Sequence, residues 1–378
     1  MSELLECKVM PYAWGSRTAI AELCGRPSPA PGPEAELWMG AHPMAPAKVG
    51  GRSLAELIAA DPRGQLGEPV LGAFGPRLPF LLKVLAAAQP LSIQAHPTEE
   101  QARAGFAEEE RRGIPRDAPH RNYKDADHKP ELLCALTPFD ALCGFRAVDE
   151  TLRLFDELAV PALDAALAPL RAGDLGETFR RVMALDAGAV GQVVAACRSP
   201  SGFSGERAMA VRLAELYPGD VGVVSALLLN LMHLEPGQAI YLGAGNLHAY
   251  LGGVGVEIMA SSDNVLRGGL TPKHVDVPEL MRVLQFTAGP VTPLAPRAVD
   301  DVEQVYDTPA REFRLSRLRA PAAREVQGPE ILLCVDGEVR LDGVSLPRGA
   351  AAFVAASTGR YTLAGAGTVF RATVNLRS

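Results

Sequence analysis

The stretch GAGNLHAYLGGVGVEIMASSDNVLRGGLTPK, residues 243–273, combines a strand pattern with a dense set of reactive side chains. Val254, Val256 and Ile258 alternate with small or polar residues, so a strand here turns Glu257 to the face opposite the apolar stripe. The reactive side chains of this stretch are those of His248, Tyr250, Glu257, Asp263, Asn264, Arg267 and Lys273. If they converge, they supply a metal ligand, an acid/base group and an anion-binding site.

The composition of the chain is that of an ordinary globular protein and excludes several classes of partner. With 378 residues, 48% of them apolar, the chain can form two or three domains. Its formal net charge of −7 argues against binding to nucleic acids or to anionic membranes. The six cysteines include no Cys-x-x-Cys pair, and no signal peptide is visible, so we expect reduced thiols and a cytoplasmic location.

Two β-rich parts flank a helical segment. In residues 1–146, short apolar runs separated by Pro and Gly are typical of the short strands of a sandwich or barrel. In residues 147–234, apolar residues recur every three or four positions, which predicts helices. The apolar run at residues 221–234 predicts a buried helix. We find no cluster of reactive residues in this segment and interpret it as structural cover.

The last part, residues 297–378, has the texture of a second β-sandwich packed against the first. Asp336-Gly337 lies between two apolar runs and predicts a hairpin, and Asp342-Gly343 predicts a second turn. The last histidine of the chain is His274, so this part offers no imidazole for a catalytic transition metal.

The strand at residues 91–96 alternates cleanly between apolar and polar side chains. Ser92, Gln94 and His96 share one face because strand side chains alternate. The alternative is an ordinary solvated face.

A second group precedes the apolar run that begins at Leu132. Pro130 favours an extended backbone, which delivers Lys129 and Glu131 to one side. Glu131 then lies at the edge of a core, where an unpaired carboxylate would be costly. The candidate metal ligands are Gln94, His96, Glu131 and His248. Two imidazoles and two oxygen donors fit zinc, with manganese, iron or cobalt as alternatives.

Four motifs make the chain resemble the type I mannose-6-phosphate isomerases, also called phosphomannose isomerases. They are YAWGS at residues 12–16, LSIQAHP at 91–97, YKDADHKPE at 123–131 and the long block at 248–273. The resemblance covers most of the chain.

Two residues depart from the pattern of the family. Asp127 stands where the family usually has Asn, and Gly268 stands where Ala usually follows the Arg. Asp127 adds a negative charge that could alter pH dependence or metal affinity.

The resemblance implies a mainly β fold with a helical insertion: two cupin-like jelly-roll β-sandwich domains plus an α-helical domain. The catalytic cupin-like domain would comprise residues 1–146 and 235–296. The helical insertion would comprise residues 147–234, and the C-terminal cupin-like domain residues 297–378.

The resemblance also implies one zinc ion per chain, bound by Gln94, His96, Glu131 and His248. The implied reaction is the reversible conversion of mannose 6-phosphate to fructose 6-phosphate. We expect a monomer whose partner is a small-molecule sugar phosphate.

The roles of the remaining polar residues follow from the needs of an aldose–ketose isomerisation. Arg267 and Lys273 are candidates for contacts to the phosphate or for stabilising enediolate charge. Lys129 could protonate or orient a sugar oxygen. Glu257, Asp263 and His128 remain open as the base. The residues that could shape the pocket are Trp14, Tyr250 and Ser92.

Two other functions share these features. An isomerase or epimerase of a different sugar phosphate would use the same groups. A cupin that binds metal and senses or stores sugar without turnover would lack acid/base and anion-binding residues, which are present here.

Overall fold

The computed structural model describes residues 2–199 and 202–376, and its paired strands run antiparallel. The strands are β1 Ser2–Leu5, β2 Lys8–Met10, β3 Glu36–Met39, β4 Lys48–Val49, β5 Arg52–Ser53, β6 Phe80–Ala87, β7 Ile93–Ala95, β8 Glu131–Ala135, β9 Phe139–Phe145, β10 Leu229–Leu234, β11 Ala239–Leu242, β12 His248–Ala260, β13 Leu266–Gly269, β14 Arg297–Ala298, β15 Glu303–Tyr306, β16 Arg314–Glu325, β17 Glu330–Leu341, β18 Val344–Pro347, β19 Ala351–Val354 and β20 Arg360–Thr373.

The helices lie mainly between β9 and β10 and around the edges of the sheets. They are α1 Ala19–Leu23, α2 Leu54–Ala60, α3 Pro62–Leu66, α4 Glu68–Phe74, α5 Glu99–Arg111, α6 Val148–Leu158, α7 Asp164–Arg171, α8 Leu175–Val182, α9 Ala187–Cys197, α10 Ser204–Leu216, α11 Gly222–Ala226 and α12 Val277–Val283, with 3₁₀ turns at Pro161–Leu163 and Ala356–Thr358. Among the described residues, we find no helix with the length and apolarity needed to cross a bilayer.

Within the described residues, most strands belong to a ten-stranded sheet and an eight-stranded sheet. The ten-stranded sheet contains β2, β3 and β6 to β13, and the eight-stranded sheet contains β1 and β14 to β20. Apolar residues of both sheets share one core, in which Val256 of β12 and Leu37 of β3 join Phe370 of β20. The predicted fold class, mainly β with a helical segment between two β-rich parts, is confirmed.

The ten-stranded sheet forms two layers because β12 belongs to both. Residues 248–252 of β12 pair with β9, and His248 also lies opposite Gln94 of β7. Residues 253–260 pair with β6 on one side, and β8 pairs along the same half on the other. One long strand therefore carries side chains from one layer into the other.

A β-bulge interrupts β12 between these halves. Tyr250 lies opposite Ala141 and Gly252 lies opposite Asp140, so Leu251 is an extra residue in the ladder. An extra residue reverses the alternation of side chains beyond it. Tyr250 and Glu257, which have opposite parity in the sequence, consequently point to the same side.

Gly253 lets the backbone follow this bend. Its φ is 123°, a backbone angle that residues other than glycine rarely adopt. A Cβ atom here would lie 2.7 Å from the carbonyl oxygen of Pro138 and 2.7 Å from the ring of Phe139. Glycine is therefore required at this position by both conformation and space.

Helices α6 to α11 cover the outer side of the ten-stranded sheet. Leu154, Phe155 and Leu158 of α6 and Phe179 of α8 are buried in one apolar core with Ala249 of β12. This amphipathic packing is the one that the three- and four-residue spacing predicts.

The predicted buried helix at residues 221–234 is wrong in its second half. Only Gly222–Ala226 is helical, and Leu229–Leu234 form β10, which pairs with β9. A short apolar run fits a buried helix or a buried strand equally well. Here the residues form a strand because they pair with the edge of β9.

Near the N-terminus, β1 pairs with β19, so residues 2–5 belong to the eight-stranded sheet rather than to the sheet formed by most of residues 1–146.

The hairpin predicted at Asp336-Gly337 is also wrong. Strand β17 runs through both residues with a register shift between Cys334 and Asp336, and Gly337 lies opposite Gly367 of β20. The long partner strand continues the ladder, so Val335 becomes the extra residue of a β-bulge and the Asp-Gly pair stays within the strand instead of forming a turn. The turn predicted at Asp342-Gly343 is confirmed, since both residues have positive φ and join β17 to β18.

Replacing Gly253 with alanine should destabilise the protein by at least about 2 kcal/mol. Alanine disfavours the φ of 123° at this position, and its Cβ would clash with the carbonyl oxygen of Pro138 and the ring of Phe139. The free energy of unfolding, from urea titration, measures this loss. Gly191→Ala is the matched control: this helical glycine has no atom within 4 Å of a new Cβ, and the change should stabilise by about 0.5–1 kcal/mol. Equal stability of Gly253→Ala and the parent protein would contradict the account of the bend.

Candidate active site

Both halves of β12 face a cavity of about 460 Å³. Strands of both layers and the loops beside them contribute its walls. The charged and polar side chains that line it include those of Glu36, Lys83, Gln94, Lys129, Glu131, Tyr250, Glu257, Arg267 and Lys273. The cavity therefore gathers residues from all parts of the chain that the motifs single out.

Three buried side chains form a cluster beneath this cavity, and one of them, Glu131, lines it. Glu131 lies between two imidazoles, with Oε1 3.5 Å from Nε2 of His96 and Oε2 3.4 Å from Nε2 of His248. One ligand atom from each residue lies within 4.8 Å of the other two. Nε2 of both histidines and Oε2 of Glu131 have no hydrogen-bond partner, although all three atoms are buried.

Unsatisfied buried polar atoms are rare and costly, so three that face one point indicate a site for a cation. Gln94 is placed to add a fourth ligand, because it lies directly opposite His248 in the β7–β12 pairing and lines the cavity. Cross-strand partners share a face of the sheet.

Backbone carbonyls orient both imidazoles. Nδ1 of His96 lies 2.7 Å from the carbonyl oxygen of Asn264, and Nδ1 of His248 lies 3.0 Å from that of Asn246. A proton on each Nδ1 donates to the carbonyl and leaves the lone pair of Nε2 facing the cluster. Burial lowers the pKa of His96 to about 4, which keeps its ring in the neutral form that binds metals.

Lys129 lies beside this cluster, with its Nζ 3.1 Å from Oε1 of Glu131. Burial opposes ionisation of Glu131, but the positive charge of Lys129 outweighs it and holds the pKa of the carboxyl well below its usual range. Glu131 is therefore a carboxylate, as a metal ligand must be. The extended segment before Pro130 places Lys129 and Glu131 on one side, as the sequence predicts.

Asn264 ties the loop before Lys129 to the same cluster. Its side-chain oxygen accepts a hydrogen bond from the backbone N–H of Lys124 at 2.7 Å. Its side-chain nitrogen donates to the carbonyl oxygens of Asp125 at 2.8 Å and Asp127 at 2.9 Å. One residue thus fixes the loop with its side chain and His96 with its backbone.

The extra negative charge of Asp127 does not face the cluster. Its carboxylate pairs with the guanidinium of Arg77, with an Nη2–Oδ1 distance of 2.8 Å. Both side chains line a separate cavity on the other side of the loop. The pairing with Arg77 neutralises the charge by which this chain departs from the family pattern.

Glu257 lies in a buried network on the opposite wall. The hydroxyl of Tyr250 donates to its Oε1 at 2.9 Å, and Nζ of Lys83 lies 3.2 Å from its Oε2. Glu36 is a second acidic neighbour of Lys83, at 3.8 Å. Burial raises the pKa of Glu257, although Lys83 opposes the shift. Burial also disfavours the charged form of Lys83, but Glu36 and Glu257 outweigh it and raise the pKa of the ammonium group.

Lys83 lies outside the four motifs, although its place in the sequence carries a signal. This lysine interrupts a continuous apolar strand, β6, and its exposed fraction is only 6%. A lysine in a fully buried strand requires an acidic partner. Its partner Glu257 lies directly opposite it in the β6–β12 pairing.

Arg267 and Lys273 lie on a third side of the cavity without acidic partners. Within the described part of the chain, no carboxylate forms an ion pair with either side chain. Burial lowers the pKa of Arg267, and burial together with the charges of Arg267 and Lys124 lowers the pKa of Lys273. Partly buried cations that lack counter-charges form a binding site for an anion.

Two of the predicted bases lie outside the cavity. Asp263 faces the separate cavity beside His42, with an Oδ2–Nε2 distance of 3.5 Å, and its backbone N–H is held by Asp125. His128 contacts Glu312 at 2.8 Å. Because side chains alternate in an extended segment, His128 points away when Lys129 points in. Of the three candidate bases, only Glu257 lines the cavity.

The predicted pocket residues Trp14, Ser92 and Tyr250 all line the cavity. Trp14 stacks on Tyr12, with 5.8 Å between ring centroids. Tyr217, from the segment after α10, also lines the cavity, so the interpretation of the helical segment as structural cover is wrong at this point. Only the folded chain brings Tyr217 here, and nothing in its local sequence marks it.

Comparisons with known proteins agree with the geometry of the site. The family model for the catalytic domain of type I phosphomannose isomerase matches residues 3–148. The mannose-6-phosphate isomerase of Shigella flexneri is 42% identical over 381 residues, which cover 96% of this chain and 97% of that protein.

Solved structures give the same result. A mutant of phosphomannose isomerase from Salmonella typhimurium superimposes with a TM-score of 0.93 at 38% identity, covering 99% of this chain and 100% of that one. A zinc-bound mannose 6-phosphate isomerase superimposes with a TM-score of 0.92 at 38% identity and the same coverage. These likenesses confirm the family expected from the sequence: the chain belongs to the type I phosphomannose isomerases.

Proposed function

We propose that this chain interconverts mannose 6-phosphate and fructose 6-phosphate with a zinc ion at the floor of the cavity. The activity named for the Shigella relative and the zinc-bound solved structure support this proposal. The observation that carries it is that one cavity is lined by the buried carboxylate of Glu257, by unpaired cations and by Glu131, beside which the unsatisfied imidazole atoms lie. We expect a monomer to suffice, since every group named here comes from one chain.

His96, Glu131 and His248 would hold the zinc ion, with the amide oxygen of Gln94 as the fourth ligand. Two imidazoles and two oxygen donors suit zinc, and the unsatisfied Nε2 and Oε2 atoms are the ones that would contact it. When bound, zinc supplies a Lewis acid that stabilises negative charge developing on the sugar oxygens. The chain contributes orientation, because both imidazoles are fixed by carbonyls before any metal arrives.

Arg267 and Lys273 bind the phosphate of the substrate. Arg offers a planar set of donors and Lys a compact charge, and neither has a competing carboxylate. The β13–β7 pairing places Arg267 directly opposite Gln94, which itself lies opposite His248. The phosphate contact and the metal ligands therefore share one row across three strands.

Glu257 is the base that moves a proton between C2 and C1 through an enediol or enediolate. It takes the proton from one carbon and returns it to the other, so the carboxylate is regenerated in each turnover. Tyr250 and Lys83 hold it in place. Burial raises its pKa and makes it a stronger base than an exposed glutamate. Lys129, which lines the same cavity, carries the accompanying proton between O2 and O1 and is returned to its ammonium form in each turnover.

A coupled assay for fructose 6-phosphate tests the proposed activity. Protein stripped of metal should be inactive, and one equivalent of zinc should restore formation of fructose 6-phosphate from mannose 6-phosphate. The same preparation should be assayed with other aldose 6-phosphates. Higher kcat/KM for another aldose phosphate would overturn the substrate assignment, and sugar-phosphate binding without turnover would identify a non-catalytic protein.

Variants of Glu257 and Tyr250 test the assignment of the base. Glu257→Gln should lower kcat by about 10²- to 10⁴-fold with little change in KM. The base works only as a carboxylate, so activity falls as pH drops through its pKa. The Tyr250 hydroxyl stabilises the carboxylate, and Tyr250→Phe should therefore raise that pKa and move the acid limb of the kcat/KM profile to higher pH.

Tyr217→Phe is the matched control for this pH shift. The Tyr217 hydroxyl also belongs to a residue of the cavity wall, but it donates to the carbonyl oxygen of Pro90 at 2.9 Å and to no carboxylate. Its acid limb should match that of the parent protein. An unshifted profile for Tyr250→Phe, or near-normal kcat for Glu257→Gln, would remove Glu257 from this role.

A further inference from the structure

The segment that carries Arg267 and Lys273 is held by a residue of the helical insertion. Asp220 lies between α10 and α11, about fifty residues earlier in the chain, and is half-buried. Its Oδ1 accepts hydrogen bonds from the backbone N–H groups of Gly222 at 2.7 Å and Leu270 at 3.0 Å. Its Oδ2 accepts one from the backbone N–H of Thr271 at 3.1 Å.

These hydrogen bonds stabilise an unusual backbone conformation. Leu270 has a φ of 55°, in the left-handed region that residues with a Cβ disfavour. Its side chain is buried in the apolar core beneath the helices. A strained residue keeps such a conformation only where its surroundings enforce it, and here the carboxylate of Asp220 holds its N–H.

Two glycines allow the insertion to approach this segment closely. A Cβ on Gly269 would lie 2.5 Å from Cα of Gly222, and a Cβ on Gly222 would lie 2.5 Å from the backbone nitrogen of Leu270. The backbones thus touch directly, and this contact brings Asp220 within hydrogen-bond distance of Leu270 and Thr271.

The hydrogen bonds continue from Asp220 to the cation. Thr271, whose N–H is held by Asp220, accepts a hydrogen bond through Oγ1 from the backbone N–H of Lys273 at 3.1 Å. Among the described residues, no ion pair joins Asp220 to Arg267 or Lys273, so the carboxylate does not neutralise them. Its negative charge is instead directed at three backbone N–H groups.

We propose that Asp220 is a positioning residue that holds residues 269–273 so that Lys273 and Arg267 face the cavity together. This inference rests on the proposed function, in which these two cations bind the phosphate of the substrate. The helical insertion then sets affinity for the phosphorylated substrate, although Asp220 does not touch it.

The test compares Asp220→Ala and Asp220→Asn in the zinc-loaded protein. Binding of inorganic phosphate is measured by calorimetry, together with kcat, KM, zinc content and melting temperature. Asp220→Ala should weaken phosphate binding and raise KM for mannose 6-phosphate by about ten-fold each, with kcat changed by less than about three-fold. Asp220→Asn should lie between this variant and the parent, because one acceptor oxygen remains.

Asp186→Ala is the matched control. Asp186 is a helix-capping aspartate of the same insertion, and it accepts a hydrogen bond from the backbone N–H of Ala189 at 2.8 Å. Its loss should lower the melting temperature without changing phosphate affinity or KM. A merely structural role for Asp220 predicts the same behaviour for both aspartates, so phosphate binding within two-fold of the parent in Asp220→Ala would overturn the inference.

Two further outcomes have defined meanings. If Asp220→Ala does not fold, Asp220→Asn decides: weaker phosphate binding supports the inference and unchanged binding overturns it. Arg267→Ala separates the inference from the proposed function. If Arg267→Ala loses phosphate binding and Asp220→Ala does not, only the inference fails. If Arg267→Ala binds phosphate normally, the phosphate assignment fails and the inference fails with it.

Discussion

The β-bulge in β12 is the constraint on which the site depends, because it turns both halves of one strand toward the same cavity. Tyr250 and Glu257 are seven residues apart in this strand, yet their side chains meet at 2.9 Å. In a regular strand they would point to opposite faces and lie far apart. The first half brings His248 beside Gln94, and the second half brings Glu257 beside Lys83. The bulge therefore joins the metal centre to the candidate base.

Some polar and charged groups at the cavity are paired with other side chains, and others have no partner. The paired groups support the structure, and the unpartnered ones are available to bind a ligand. Lys83 is neutralised by Glu257 and Glu36, so this group can be buried without a ligand. Nε2 of His96 and Nε2 of His248 have no partner, which costs folding free energy. A ligand that binds only the folded state offsets that cost and raises stability. We therefore expect metal and substrate to stabilise the fold, because they bind the groups that have no partner in the folded chain.

Local pattern predicted those parts of the site that depend on one strand or one loop. Alternation in residues 91–96 puts Gln94 and His96 on one side, and the extended backbone before Pro130 delivers Glu131. The shared face of Tyr250 and Glu257 could not be predicted by alternation, because a bulge reverses it, although the adjacent glycines at 252–253 are a signal for one. The roles of Asp220 and Tyr217 depend on contacts between distant segments, which no local pattern encodes. Long-range pairing also overrode the turn signal at residues 336–337.

X-ray absorption at the zinc K-edge of the zinc-loaded protein tests the central claim most directly. We expect two imidazole ligands, with oxygen as the remaining donors, at about 2.0–2.2 Å. A sulfur ligand at about 2.3 Å is the informative alternative, because Cys143 of β9 lies directly opposite His248. A spectrum with a sulfur shell, or with fewer than two imidazoles, would contradict a metal centre built from His96, Glu131 and His248.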